Sequence, residues 1–179
     1  MDQESPQTYC DYVANLDNNN LHKIYHDEQY GFPIKDDNEL FGRLILEINQ
    51  AGLSWTTILK KQNNFRKAYS GFKIKKIAEY DDNAIKQLLD NSGIIRNKLK
   101  VNAAIYNAKK ILSIQKEFGS FRLWLEDNQF RELDDWVNLF KKTFKFTGKE
   151  ITKEFLISSG ILEGAHTKDC PIFYKISSL

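Results

Sequence analysis

Three groups of residues in this chain have types and spacings that could do chemistry. The first is an acid set among apolar residues. In "LILEINQAGLSW" (44–55), Glu47 stands among leucines and isoleucines, and Trp55 follows eight residues later. On a helical wheel Glu47 lies at the border of the apolar arc, beside Leu40, Leu44 and Ala51. A carboxylate at such a border is commonly half exposed and without a role. A buried one needs a cation or hydrogen-bond donors, because desolvation disfavours its charge. Tyr25, Tyr30 and Trp55 could wall a pocket whose floor carries that one negative charge. Such a site suits a flat, cationic ligand, held by stacking and cation–π attraction.

The second group lies near the two ends of the chain. There are two cysteines, Cys10 and Cys170, and three histidines, His22, His26 and His166. "HTKDC" (166–170) separates His166 from Cys170 by three residues, a common metal-ligand spacing. Cys10 and His26 would complete a tetrahedral Cys₂His₂ zinc site. A disulfide is the rival reading, disfavoured in a reducing compartment and silent about the histidines. Two unrelated buried thiols are a third, and the Cys10–His26 spacing fits no short zinc-finger pattern.

The third group is "NSGIIRNKLKVNAAIYNAKK" (91–110), where a helix ends at Gly93 and a basic helix begins a few residues later. Backbone N–H groups at such a turn can bind a DNA phosphate, assisted by Arg96, Lys98 and Lys100. An ordinary helical hairpin is the plainer reading. Charge placement favours the first. The net charge is only +2, but residues 60–76 carry seven Lys or Arg and residues 96–110 carry five, neither with an acid. Two such segments in a nearly neutral protein suggest one face aimed at a polyanion, although two solvated helix faces would have the same composition.

The elements that must position these groups read as helices. The 179 residues are 41% hydrophobic and 28% charged, which is ordinary for a globular domain. No apolar run approaches the roughly 20 residues that span a bilayer. The start, "MDQESPQTY" (1–9), is polar and acidic without an apolar centre, and is expected to be a frayed tail on a cytoplasmic protein. A single helical domain is expected over 10–179. "DDNELFGRLILEINQ" opens on N-cap residues and puts Leu40, Phe41, Leu44, Ile45 and Ile48 on one face. Further helices fit 55–69, 82–91, 97–117, 120–127, 134–142 and 149–159, with Gly-containing breaks at 70–72, 91–94, 118–120 and 158–160. The expectation is an all-α fold of about seven or eight short helices.

These pieces occur together in one family. The sequence resembles 3-methyladenine DNA glycosylase I in "YHDEQYGFP" (25–33), "LEINQAGLSWTTILKKQNNFRKAY" (46–69), "GIIRNKLKVNAAIYNAK" (93–109), "FKFTG" (144–148) and "HTKDCP" (166–171). The resemblance implies a helix-hairpin-helix fold with two lobes flanking a base pocket. It also implies an enzyme that flips an alkylated nucleotide out of double-stranded DNA and hydrolyses its N-glycosidic bond. By the same resemblance Glu47 is the base-recognising carboxylate and the catalytic residue. Tyr25 and Trp55 contact the base, Tyr12 and Tyr30 take positions that usually hold Trp, and Gly93, Arg96, Lys98 and Lys100 belong to the DNA-binding hairpin. Cys10, His26, His166 and Cys170 hold one structural zinc. The Cys10–His26 spacing is longer than the family's, with "DNNN" (17–20) as the insertion and His22 as a rival to His26. No lysine in the matched motifs is placed as an amine nucleophile, so no strand cleavage is expected, and nothing demands an oligomer. The alternatives are a zinc-stapled DNA-binding or damage-sensing module without excision, and a helical protein-interaction domain.

Overall fold

The computed structural model describes residues 8–179, and these fold into an all-helical domain without a strand. At its centre is α3 (Asp37–Gln50), whose start is fixed by Asp36: its carboxylate accepts from the N–H groups of Asn38 and Glu39 at 2.9 and 3.0 Å. Asp37 and Glu39 then place negative charge on the positive end of the helix dipole. The predicted apolar face, Leu40, Phe41, Leu44, Ile45 and Ile48, is buried. So are Arg43, Glu47 and Asn49, since α3 is surrounded on nearly every side.

Around it pack α4 (Trp55–Ala68), α5 (Ile74–Ala78), α7 (Lys98–Phe118), α8 (Phe121–Asp127) and α10 (Lys149–Ser158). A 3₁₀ turn at Ser70–Phe72 joins α4 to α5, and α6 (Asp82–Asp90) leads into α7. The Asp37 carboxylate also accepts from the N–H groups of Phe121 and Arg122 at 2.8 and 3.0 Å, satisfying donors that α8 would otherwise leave unpaired. Residues 121–155 close the core with a cluster of Phe121, Trp124, Trp136, Phe140, Phe144 and Phe155, to which α9 (Leu133–Thr143) contributes Trp136 and Phe140. Asn107 on α7 holds the "FKFTG" segment by exchanging two hydrogen bonds with the Lys145 backbone, at 2.7 and 3.1 Å.

Four helices were not expected from the sequence: α1 (Tyr9–Ala14), α2 (Leu21–Glu28), α5 and α11 (Pro171–Ser177). All are short, eight residues or fewer, and draw their stability from caps and packing rather than from a long apolar period. Thr8 and Asp11 form a reciprocal capping box at the start of α1. The frayed tail therefore does not extend through Tyr9: residues 1–7 lie outside the described part, but Thr8 and Tyr9 are structured. Between α1 and α2, the inserted "DNNN" supplies the cap of α2, because Asn20 accepts from the His22 N–H at 2.9 Å.

One close approach inside the core is testable. A Cβ at Gly42 would overlap the Phe72 ring, which packs directly on the α3 backbone. Gly42→Ala is expected to lower stability by about 1–3 kcal/mol, read as a fall in the denaturant midpoint at unchanged slope. An unchanged midpoint would mean that Phe72 yields freely.

Candidate active site and metal centre

A cavity of about 290 Å³ opens where α1, α2, α3, α4 and α10 meet, lined by Tyr9, Tyr25, Tyr30, Glu47, Gln50, Trp55 and Glu154. Its walls are aromatic. Tyr25 lies 5.2 Å from Trp55 and 5.6 Å from Tyr30 between ring centroids, and Tyr9 meets Tyr30 edge to face at 5.4 Å. Trp55 begins α4 after the Ser54 cap, and its indole N–H is buried without an acceptor among the described residues.

Glu47 is buried on α3, deeper than its place on the wheel suggests. The Ser158 hydroxyl donates to Glu47 Oε1 at 3.1 Å. Burial pushes the Glu47 carboxyl up to about 7, the positive charge of Arg43 opposes this, and the negative charge of Glu154 adds to it. Arg43 sits one helical turn before Glu47 and donates to the Ser158 carbonyl at 2.7 Å and to the Tyr25 hydroxyl at 3.2 Å. Burial also raises the Tyr25 phenol well above its usual range, so Tyr25 stays neutral. The site thus joins an acid able to change protonation near neutrality to a neutral aromatic wall. That combination accepts a flat ligand with positive charge or N–H donors.

The ends of the chain meet beside this pocket. Cys10 on α1, His26 on α2, His166 and Cys170 present one donor atom each, all within 4.8 Å of one another. Five of the separations are 3.4 Å (Cys10 Sγ–His26 Nε2), 3.8 Å (Cys10 Sγ–His166 Nδ1), 3.1 Å (His26 Nε2–His166 Nδ1), 3.8 Å (Cys170 Sγ–His26 Nε2) and 3.6 Å (Cys170 Sγ–His166 Nδ1). A tetrahedral ion with bonds of about 2.0–2.1 Å to N and 2.3 Å to S has edges of roughly 3.3–3.8 Å. The donor set fits such an ion in both type and size. The outer ring nitrogens are also held, His26 Nδ1 by Asp27 Oδ1 at 2.6 Å and His166 Nε2 by the Tyr30 carbonyl at 2.7 Å. Such partners orient metal-binding imidazoles. His22 is elsewhere: its ring shares hydrogen bonds with the Tyr9 hydroxyl at 3.0 Å and the Thr56 hydroxyl at 2.7 Å.

The predicted hairpin is present between α6 and α7, with Arg96 and Lys98 exposed. Lys61 on α4 donates to the Ser92 carbonyl at 2.9 Å, so the two basic segments adjoin here. Two expectations need correction. The Gly93 N–H is not free for a phosphate, because the side chain of Asn91 accepts it at 2.8 Å. Lys100 does not face outward: it is buried, and its ammonium donates to the carbonyls of Asn49 and Ala51 at 2.9 and 2.7 Å. Burial also holds that ammonium below the usual lysine range. A helix of 3.6 residues per turn cannot present both Lys98 and Lys100 to one surface, and Lys100 falls on the core side with Val101 and Ala104. It caps the C-terminal end of α3, where unpaired carbonyls attract a cation.

Tyr12 also requires correction, because it does not line the cavity. Its ring, 41% exposed, stacks behind Tyr9 at 6.1 Å and 15°, and Tyr9 supplies the wall instead. Tyr9, Arg43, Gln50, Glu154 and Ser158 are site residues that sequence reasoning missed. Only Arg43 left a signal, as a charge four residues from Glu47 within an otherwise apolar helix face.

A helical hairpin with a basic turn, together with an aromatic cleft floored by a buried acid, defines a helix-hairpin-helix protein with an aromatic pocket. Comparison with known proteins narrows the class. A family model described as methyladenine glycosylase matches residues 15–135. The DNA-3-methyladenine glycosylase of Haemophilus influenzae is 33% identical, over 92% of this chain and 97% of that protein. DNA-3-methyladenine glycosylase 1 of Escherichia coli is 30% identical, over 84% of this chain and 90% of that one. A solved structure of 3-methyladenine DNA glycosylase I from Staphylococcus aureus superimposes with a TM-score of 0.79 at 31% identity, over 87% of this chain and 93% of that one. The chain belongs to the 3-methyladenine DNA glycosylase I family.

Lys98 and Lys100 are separable by stability. Lys100→Ala strips the buried Asn49 carbonyl and the part-buried Ala51 carbonyl of their donor, a loss of about 1–3 kcal/mol for the buried one, and is expected to lower the melting temperature. Lys98→Ala is expected to leave it unchanged. Equal melting of both variants would remove Lys100 from the α3 cap.

Proposed function

We propose that this chain hydrolyses the N-glycosidic bond of 3-methyladenine in alkylated double-stranded DNA, as a monomeric base-excision enzyme without strand cleavage. The observation that carries the reading is the buried Glu47 carboxyl inside an aromatic cavity. A solved 3-methyladenine DNA glycosylase I in complex with 3-methyladenine shares this fold at a TM-score of 0.80 and 30% identity, over 87% of this chain and 94% of that one.

Methylation at N3 makes adenine cationic in DNA and a good leaving group. The protein therefore needs less acid catalysis than for a neutral base. Tyr25, Tyr30, Tyr9 and Trp55 hold the flat cation, and Glu47 accepts hydrogen bonds from its amine edge. Unmodified adenine lacks the charge and is bound less well. Flipping costs a few kcal/mol of unstacking and is easiest at a damaged base. Leu53, on the turn between α3 and α4 and 38% exposed, suits the gap that the flipped base leaves. Arg96 and Lys98 face the phosphates. Water attacks the sugar as the base departs. No lysine lines the cavity, which supports hydrolysis over amine attack and lyase chemistry. The proposal extends to 3-methylguanine, another cation alkylated at the same edge.

Glu47→Gln is expected to reduce release of 3-methyladenine from alkylated DNA by about 100-fold, the loss typical when one partner of a buried charge pair is removed. The fold should survive. Glu47 has an ordinary value of 4.5 and is raised to about 7 by burial. Its ionisation therefore destabilises the folded state increasingly as pH rises from the first value to the second, and fully above it. The Gln variant is thus expected to melt no lower than the native protein at pH 8. Undiminished release would remove Glu47 from the reaction. A chain that binds alkylated DNA but releases no base would instead be a damage-sensing module.

The four-donor cluster is read as a structural zinc site, supported by its two thiols, two imidazoles and oriented outer nitrogens. About one zinc per chain is expected by elemental analysis. Chelation is expected to lower the melting temperature and with it excision. A fully active, equally stable preparation without metal would reject the site.

A further inference from the structure

Among the described residues two carboxylates line the cavity: Glu47 from α3 and Glu154 from α10. The base-recognition reading uses only the first. Glu154 stands one turn before Ser158, whose hydroxyl donates to Glu47, so one helix carries both the second acid and the donor to the first. The Tyr30 phenol lies within the field of both acids: Glu154 and Glu47, in that order after burial, oppose its ionisation. The same hydroxyl favours the charged form of Glu154. Among the described residues the charged and titratable groups that face the pair are few. Arg43 comes from α3, Tyr9 from α1, Tyr25 and Tyr30 from α2 and its exit, and Glu150 and Lys153 flank Glu154 on its own helix.

A second acid in a small aromatic cavity is unfavourable for the empty protein, because two like charges in a poorly hydrated space repel. It becomes favourable when a cation enters between them. We propose that Glu154 is a specificity-determining carboxylate that, with Glu47, makes the pocket prefer cationic over neutral purines. The inference rests on the base-excision reading of the same pocket. In the empty site near neutral pH, burial and mutual repulsion leave a proton on the pair part of the time. The arriving cation displaces that proton to solvent.

The test separates charge from shape. Binding of 3,9-dimethyladeninium (a cation) and 9-methyladenine (neutral) is followed by quenching of tryptophan fluorescence at pH 7. The native chain, Glu154→Gln and Glu154→Asp are compared, with melting curves as a check on folding. Glu154→Gln is expected to weaken the cation about tenfold and to leave 9-methyladenine unchanged, whereas Glu154→Asp keeps the preference. Binding of the cation by the native chain is expected to release a fraction of a proton, measured calorimetrically in buffers of different ionisation enthalpy. Release should diminish in Glu154→Gln. Unchanged cation affinity in Glu154→Gln overturns the proposal. So does equal weakening of both ligands, or loss of the preference in the charge-keeping Asp variant. The base-excision reading fails separately, if the native chain releases no 3-methyladenine from alkylated DNA.

Discussion

The desolvation of Glu47 constrains everything around it. A carboxylate withdrawn from water inside an apolar helix face needs donors and positive charge nearby, and both converge on Ser158. Its hydroxyl donates to Glu47, and its carbonyl accepts from Arg43 and from the Gly31 N–H at 3.0 Å. Through this one residue the end of α10 is tied to α3 and to the chain leaving α2. The Ser159 carbonyl extends the tie by accepting from the Ile34 N–H. Gly31, in the left-handed backbone region at φ +78°, lets the chain turn here with no side chain against Ala165. Tyr30, just before that turn, is thereby delivered to the cavity.

The chain ends serve the same pocket from the other side. Three of the four metal-type ligands are close to an aromatic wall: Cys10 follows Tyr9, His26 follows Tyr25, and His166 bonds the Tyr30 carbonyl. Fastening residues 10, 26, 166 and 170 together therefore also fixes three tyrosine rings. A cluster outside the cavity is thus coupled to the cavity's walls. Helices of six, eight and seven residues, as α1, α2 and α11 are, have little stability of their own, so their positions depend on such a fastening.

A third link joins the hairpin to the pocket floor. Lys100 begins the core-facing side of α7 and binds the last carbonyls of α3, directly before the turn that carries Leu53 and leads to Trp55. The element read as a DNA contact and the element that floors the cavity are thus one hydrogen-bonded unit. Lys98, two residues earlier, stays in solvent because the helical period sends the two side chains to different faces.

Much of this was legible in the residues. The apolar period and Asp36 fixed α3, Gly and Asn breaks placed six further helices to within a residue or two, and the scarcity of Cys and His made their grouping conspicuous. The resemblance named the family, which the comparisons bear out. Short helices left no period to read, so α1, α2, α5 and α11 went unseen, and Tyr9 was lost to the tail while Tyr12 was placed in the wall. Composition counted Lys100 as surface charge. Its partners, Asn49 and Ala51, lie some fifty residues away in the chain, and Glu154 and Ser158 are more than a hundred from Glu47. The sequence by itself determined the local helices and the inventory of reactive groups, because caps and periodicity act over a few residues. Only the tertiary structure decided which groups share a cavity, because burial and charge coupling depend on distance through space.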